Sequence, residues 1–214
     1  MFKSLTLCEF LFENSPVYIT KAAEANSSVQ YKYNIMAVHA FFDAENVDGV
    51  LGYEILNHRP SPWERLNYQR VLQWLREHFN DAARLTAVIR EGVGPTRAKR
   101  LKFAKALHDA SIRVEFAETY VATHSICSPS EPEIVDRVVS NLIATCGAST
   151  ICYGGHDFYA SFLLREKKEL GARVFTLGFP EYVSAEVIAA SDDVFDLEND
   201  IGGFGYPLPR VKVY

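Results

Sequence analysis

The chain has 214 residues, 48% of them apolar and 23% charged, with a formal net charge of −5; this suits one well-buried domain and leaves little for a second. No run approaches the roughly eighteen apolar residues of a membrane span, and Glu9 and Glu13 break the apolar start, so neither a span nor a signal peptide is expected. The four cysteines, Cys8, Cys127, Cys146 and Cys152, form no CxxC pair and no zinc spacing, and read as reduced thiols of a cytoplasmic protein.

Residues 1–34 form an N-terminal extension. Phe10, Leu11, Phe12, Val17, Tyr18 and Ile19 make it too apolar for a disordered tail, so it is expected to pack on the domain, on a protein partner or on a second copy of the chain. The run from Ile35 to Phe42 is mostly apolar and ends in Asp43, with Glu45 and Asn46 close behind. Such a run reads as a strand buried on both faces. Ligands of open α/β sheets bind outside the carboxyl ends of the strands, which puts Asp43 at a functional edge. Capping of a turn or of the next helix explains it equally well.

Residues 47–60, with Gly49 and Gly52, read as a rim loop. Ser61-Pro62-Trp63-Glu64 has the form of a helix start, Ser61 being the N-cap, and Leu66, Val71, Leu75 and Phe79 carry that helix to about Asn80. A strand over Leu85–Ile89, a helix over Pro95–Ala110 and a strand over Ile112–Phe116 are predicted next. The helix carries Arg97, Lys99, Arg100, Lys102 and Lys105 within nine residues, with Ala98, Leu101, Ala104 and Leu107 as its apolar side. A solvated face is the commoner meaning of such a run. The other meaning is an RNA contact through Arg97, Arg100 and Lys105, because an acidic site needs local cations to attract phosphates.

A further helix is expected from Ser130 as N-cap, with Pro132 and Glu133 in its first turn and Ile134, Val135, Val138, Val139, Leu142 and Ile143 as its apolar face. Asp136 lies deeper in it than an acid serving only the helix dipole needs to be. A strand from Thr150 meets Gly154-Gly155, then His156 and Asp157. The following helix, with Phe158, Phe162, Leu163 and Leu170 as one stripe, stops at Gly171, and a strand runs from Ala172 to Leu177. This is a βαβ unit, so Asp157 also stands at a strand tip. Two carboxylates at neighbouring tips repel unless a cation or proton lies between them. The alternation predicts an α/β fold with a doubly wound, mainly parallel sheet flanked by helices.

Four segments carry a resemblance: Phe41-Phe42-Asp43-Ala44-Glu45-Asn46-Val47, Tyr153-Gly154-Gly155-His156-Asp157-Phe158, Leu170-Gly171-Ala172-Arg173-Val174-Phe175 and Asp192-Asp193-Val194-Phe195-Asp196-Leu197. Together they resemble the NYN domain, of the PIN-like metal-dependent ribonucleases, with the domain over residues 35–200 and a tail over 201–214. The resemblance implies that Asp43, Asp136 and Asp157 hold Mg²⁺ or Mn²⁺ and catalyse hydrolysis of RNA. It further implies that Asn46 bonds the phosphate or holds Asp43. His156, in the same loop, reads as a phosphate contact, a substitute ligand or a plain surface residue. The family usually has Ser-Gly-Asp-x-Asp-Phe at the second segment, and here Gly155 takes the place of the first acid. A glycine reads as a gap that water fills. Two other classes stand beside the ribonuclease. One is a weakened member that only binds RNA or protein. The other is an aspartate-nucleophile phosphatase, which wants Asp-x-Asp where this chain has Asp43-Ala44-Glu45. No Walker loop, GxGxxG, Gly-x-Ser-x-Gly or zinc pair is present.

Overall fold

The computed structural model describes residues 37–92, 94–117 and 131–209; the extension 1–34, the Ser130 N-cap and the end of the tail, 210–214, lie outside the described residues. Among the described residues, six strands form one sheet: β1 (Val38–Asp43), β2 (Arg84–Arg90), β3 (Arg113–Ala117), β4 (Thr150–Gly154), β5 (Arg173–Gly178) and β6 (Asp193–Asp196). Their order is β3-β2-β1-β4-β5-β6 and every pairing is parallel. The doubly wound α/β fold is therefore as the alternation implied. The order reverses between β1 and β4, and at such a reversal the crossover connections leave on opposite faces and open a crevice. The register sets Phe42 opposite Gly154, so the ends of β1 and β4 stand side by side.

Among the described residues, six helices cover the faces: α1 (Ala44–Val50), which continues as a π-helical stretch (Leu51–Leu56), α2 (Tyr68–His78), α3 (Gly94–Asp109), α4 (Glu131–Thr145), α5 (Ser161–Glu169) and α6 (Ala185–Ala190). The two-residue period of β1 divides the core. Val38, Ala40 and Phe42 pack with Val47, Leu51, Ile55, Val71, Leu75 and Leu107 on one face. Phe41 packs with Val135, Val139, Ile143, Leu164 and Val187 on the other. Among the described residues, no helix is long and apolar enough to cross a membrane.

Three local expectations are corrected. The segment after Asp43 is helical rather than a loop: Asp43 caps α1, and Val47, Leu51, Ile55 and Leu56 supply a buried stripe despite two glycines. Gly52 has a packing reason, since a Cβ there would lie 2.9 Å from the Pro60 ring. Ser61–Glu64 makes a turn instead of a helix start, with the Glu64 carboxylate accepting from the Ser61 N–H at 2.8 Å. The helix begins six residues later, where the Asn67 side chain accepts from the N–H groups of Gln69 and Arg70.

The stripe read along α5 is also out of phase. Phe162 is 72% and Leu170 74% exposed, while Leu164 is buried. A 3₁₀ turn over Phe158–Ala160 precedes α5. Three residues per turn there, against 3.6 in the helix, shift the phase that simple spacing assumes.

Candidate functional site

β1 delivers Asp43 to the reversal point, and the fold buries it to 5% exposure. Its Oδ1 accepts from the backbone N–H of Glu45 at 3.1 Å and of Asn46 at 2.9 Å. The capping role is thus real, and it engages one oxygen. Burial pushes the Asp43 pKa up to about 7; the Asn46 N–H opposes this, and the charges of Asp136 and Glu45 add to it. A carboxylate desolvated beside other carboxylates is held in a costly state that a cation relieves.

Asn46, Asp157 and His156 form a clamp between α1 and the loop after β4. Asn46 Nδ2 donates to Asp157 Oδ2 at 2.5 Å. Asn46 Oδ1 accepts from the His156 backbone N–H and faces His156 Nδ1, each at 2.8 Å. His156 Nε2 accepts from the Phe179 N–H at 2.9 Å. An acceptor at Nε2 places the ring proton on Nδ1, where it is donated to Asn46. Burial lowers the His156 pKa to about 4, which keeps this neutral tautomer. The ring also lies parallel to that of Phe179, with centroids 5.5 Å apart.

His156 is 2% exposed, so the phosphate contact expected of it is corrected: it is a buried bracket that holds Asn46. Asn46 in turn does not reach out to a phosphate. Its side chain is used in orienting Asp157, which itself is exposed at the rim.

The double glycine before His156 has a steric cause. A Cβ on Gly154 would overlap the Phe42 ring, and one on Gly155 would meet the Tyr153 hydroxyl at 2.5 Å. The expectation of an open gap at Gly155 is therefore wrong, because the Tyr153 side chain fills it. Tyr153 is 2% exposed. Burial raises its pKa well above 10, with Asp43, Asp157 and Asp136 adding to the effect. Its hydroxyl thus stays protonated with three carboxylates around it. Nothing in the sequence marked Tyr153 except an aromatic residue where the NYN pattern that the segment resembles has serine.

Asp136, on α4, is half-buried and faces the same cleft as Asp43 and Asp157, a space of about 310 Å³ also walled by Asn46, Tyr53 and Arg90. The structure therefore brings the four expected residues, Asp43, Asn46, Asp136 and Asp157, to one place. Among the described residues, no three His, Cys, Asp or Glu side chains are grouped tightly enough to hold a metal by themselves. Mg²⁺ asks for less: one or two carboxylates, with waters and substrate phosphate completing its shell. Asp43 and Asp136 meet that requirement with hard oxygen donors, so the residues present fit Mg²⁺ or Mn²⁺.

The three cations expected to bind RNA are not brought onto one surface. Arg97 pairs with Glu91 at 2.5 Å, Arg100 with Glu45 at 3.0 Å, and Lys105 with Asp109 at 2.7 Å. The phase of α3 explains this. Its inward stripe is Arg100, Phe103, Ala104 and Leu107, with Leu101 and Ala98 outside. Glu45 also pairs with Arg90, so it is committed to two guanidinium groups and does not act as the second acid of an Asp-x-Asp pair.

No family model matches the chain, and no curated protein matches it. Among solved structures, it is similar to a protein of unknown function from Vibrio parahaemolyticus, at 13% identity and a TM-score of 0.58, over 78% of this chain and 95% of that one. The UDP complex of LpCGTa matches at 12% identity and a TM-score of 0.34, over 66% of this chain and 31% of that one. The first likeness is one of fold; the second supports no inference.

Proposed function

We propose that this chain is a divergent ribonuclease of the NYN, PIN-like type, hydrolysing RNA phosphodiester bonds in the cleft between β1 and β4. One observation carries the reading: a buried, capped carboxylate, Asp43, faces Asp136 beside the clamped Asp157 at the reversal point of a parallel sheet. Mg²⁺ or Mn²⁺, when bound, supplies a Lewis acid that lowers the pKa of an attacking water and offsets charge on the phosphoryl oxygens. The chain's own residues do the rest. Asp43 and Asp136 hold the cation, and Asp43 is prevented from turning away by the two N–H groups on its Oδ1. Asp157 is aimed by Asn46 and is the candidate to orient water at the rim. Arg90, in the cleft wall with Glu45, brings positive charge to the phosphate side. We assign the protein to the cytoplasm, in keeping with Cys146 and Cys152 standing as free thiols.

A second reading, a module that binds RNA or protein without cutting, is favoured by one observation. The Tyr153 ring occupies the space in which an acid at position 155 would lie, so the site carries fewer negative charges than its relatives by resemblance. The test is incubation of labelled single-stranded and hairpin RNA with Mn²⁺, Mg²⁺ or EDTA. The ribonuclease reading expects metal-dependent cutting that Asp43→Asn reduces by at least about a hundredfold, the size of effect seen when a main electrostatic group is removed. RNA left intact by the wild type at millimolar Mn²⁺ gives the site to the binding reading.

A further inference from the structure

A second cavity, of about 710 Å³, adjoins the acidic cleft and shares Glu45, Gly49, Tyr53 and Arg90 with it as common walls. Its charge is opposite to that of the molecule. Arg59, Arg65, Arg90, Lys99 and Arg100 line it against only Glu45 and Asp48. Those two acids are already answered within the fold: Glu45 pairs with Arg90 and Arg100, and Asp48 with Arg65 at 3.5 Å. Burial raises the pKa of Asp48, while Arg65 at close range and Arg59 from farther off oppose it. Among the described residues, neither Arg59 nor Lys99 has a carboxylate within ion-pairing distance, and both are exposed. Two cations are thus left facing a groove in a chain that is acidic overall.

Tyr53 stands on the wall common to both cavities and is 84% exposed. It projects from the π-helical stretch, whose neighbouring residues Leu51, Gly52, Ile55 and Leu56 are buried. The ring therefore rises from a rigid base, and the fold gains nothing from its apolar faces. A positively charged groove with an aromatic face beside it is how proteins hold single-stranded nucleic acid, phosphates on the cations and bases on the ring.

We propose that this groove is the binding track for a single-stranded RNA segment, with phosphates on Arg59 and Lys99 and an unpaired base stacked on Tyr53, leading the chain into the cleft of Asp43 and Asp136. The inference rests on the RNA reading above and sharpens it: the ligand is unpaired RNA, since a base inside a duplex already has both faces covered. It also replaces the cations marked by sequence with others. Lys99 serves in place of Arg97 and Lys105, because among the cations of α3 it is Lys99 and Arg100 that line the groove.

The experiment measures anisotropy of a fluorescein-labelled ten-nucleotide oligouridine in EDTA, over a series of salt concentrations. The wild type binds. Arg59→Ala combined with Lys99→Ala weakens binding at least about tenfold and reduces the slope of log K against log salt by about 1.4, at roughly 0.7 per lost phosphate contact on a single strand. Tyr53→Ala weakens binding about tenfold with the slope unchanged, because stacking carries no counterion release. Arg76→Ala, an exposed cation on α2, leaves affinity and slope unchanged. A ten-base-pair RNA duplex shows no response to Tyr53→Ala.

No binding by the wild type, or groove variants that bind and titrate with salt as the wild type does, overturns the proposal. Because EDTA removes any need for metal, the two readings fail separately. Binding through the groove without cutting in Mn²⁺ removes the ribonuclease and keeps the track. Cutting that the groove variants leave unchanged does the reverse.

Discussion

The edge between β1 and β4 and the outer helix α3 both carry a concentration of charge, yet they were built in opposite ways. At the edge, each charged group is held by something specific: Asp43 by two N–H groups, Asp157 by Asn46, and Asn46 by a neutral His156 that is itself fixed by Phe179. On α3 the cations are spread by helical phase and mostly answered by nearby acids. A functional site is marked by groups that the fold restrains at a cost. A density of like charges along the chain is a much weaker mark, since exposed pairs contribute little and bind nothing by themselves. Each of the following measurements breaks or sharpens that contrast.

The largest effect belongs to Asp43. Its folded pKa of about 7 lies above the ordinary 3.8, so the folded state binds this proton more tightly than the unfolded chain. Its contribution to stability is full below about pH 4 and is lost as pH rises through 7. Asp43→Asn keeps an N-cap and removes the titration. At about 1.4 kcal/mol for each pH unit between the two values, the variant is expected to match the wild type near pH 4 and to exceed it by a few kcal/mol at pH 8. Chemical denaturation across that range checks this, and parallel curves for the two proteins would remove the idea of a strained carboxylate.

Next comes the clamp. His156→Ala leaves the Phe179 N–H and the Asn46 oxygen without their ring partners and opens a cavity against Phe179, which is expected to cost about 3 kcal/mol. The His156 shift has the other sign. A pKa lowered to about 4 contributes stability that is present above about pH 6.5 and disappears as pH falls through 4. The variant's deficit should therefore shrink on acidification. A deficit of the same size at pH 7 and pH 4 would show that the neutral imidazole is not what matters.

Gly155→Ala is expected to destabilise by about 2 kcal/mol, as overpacking of a buried site does, because its Cβ runs into the Tyr153 hydroxyl. Gly155→Asp should do no better, and no gain in metal affinity is expected from it. Thermal melts with and without Mn²⁺ settle both points; a stable Gly155→Asp protein with tighter Mn²⁺ binding would mean that Tyr153 yields easily. The smallest effect is on the helix: Lys105→Ala, which breaks only an exposed pair with Asp109, should change stability by less than about 0.5 kcal/mol and leave oligouridine affinity as it was.

The contrast also explains what could be read from the chain. Buried parallel strands announce themselves as continuous apolar runs, so the ends of β1 and β4 were legible, and topology then brought Asp43 and Asp157 to one cleft. Asp136 was legible because it matches an acid of the resembled pattern and lies deeper in its helix than the dipole alone needs. Partnerships across the fold were not. No spacing links His156 to the Phe179 N–H or Gly155 to the Tyr153 hydroxyl, since each depends on how two segments meet in space. Helical phase failed wherever regular geometry was interrupted: the π-helical stretch hid a helix behind Gly49 and Gly52, and the 3₁₀ turn before α5 turned Phe162 and Leu170 outward. Arg100 was misplaced for a related reason, because a long cation counts as polar in a pattern even when its stem lies along the core.

That the cleft of Asp43 and Asp136 is a divalent-cation site is tested most directly by thermal unfolding at pH 7.5 with and without millimolar Mn²⁺, on the wild type and on Asp43→Asn. A ligand that binds only the folded state raises its midpoint, and this one would do so by relieving the buried carboxylate. The account predicts a raised midpoint for the wild type and little or no rise for Asp43→Asn. An unmoved wild type, or the same shift in both proteins, would contradict it.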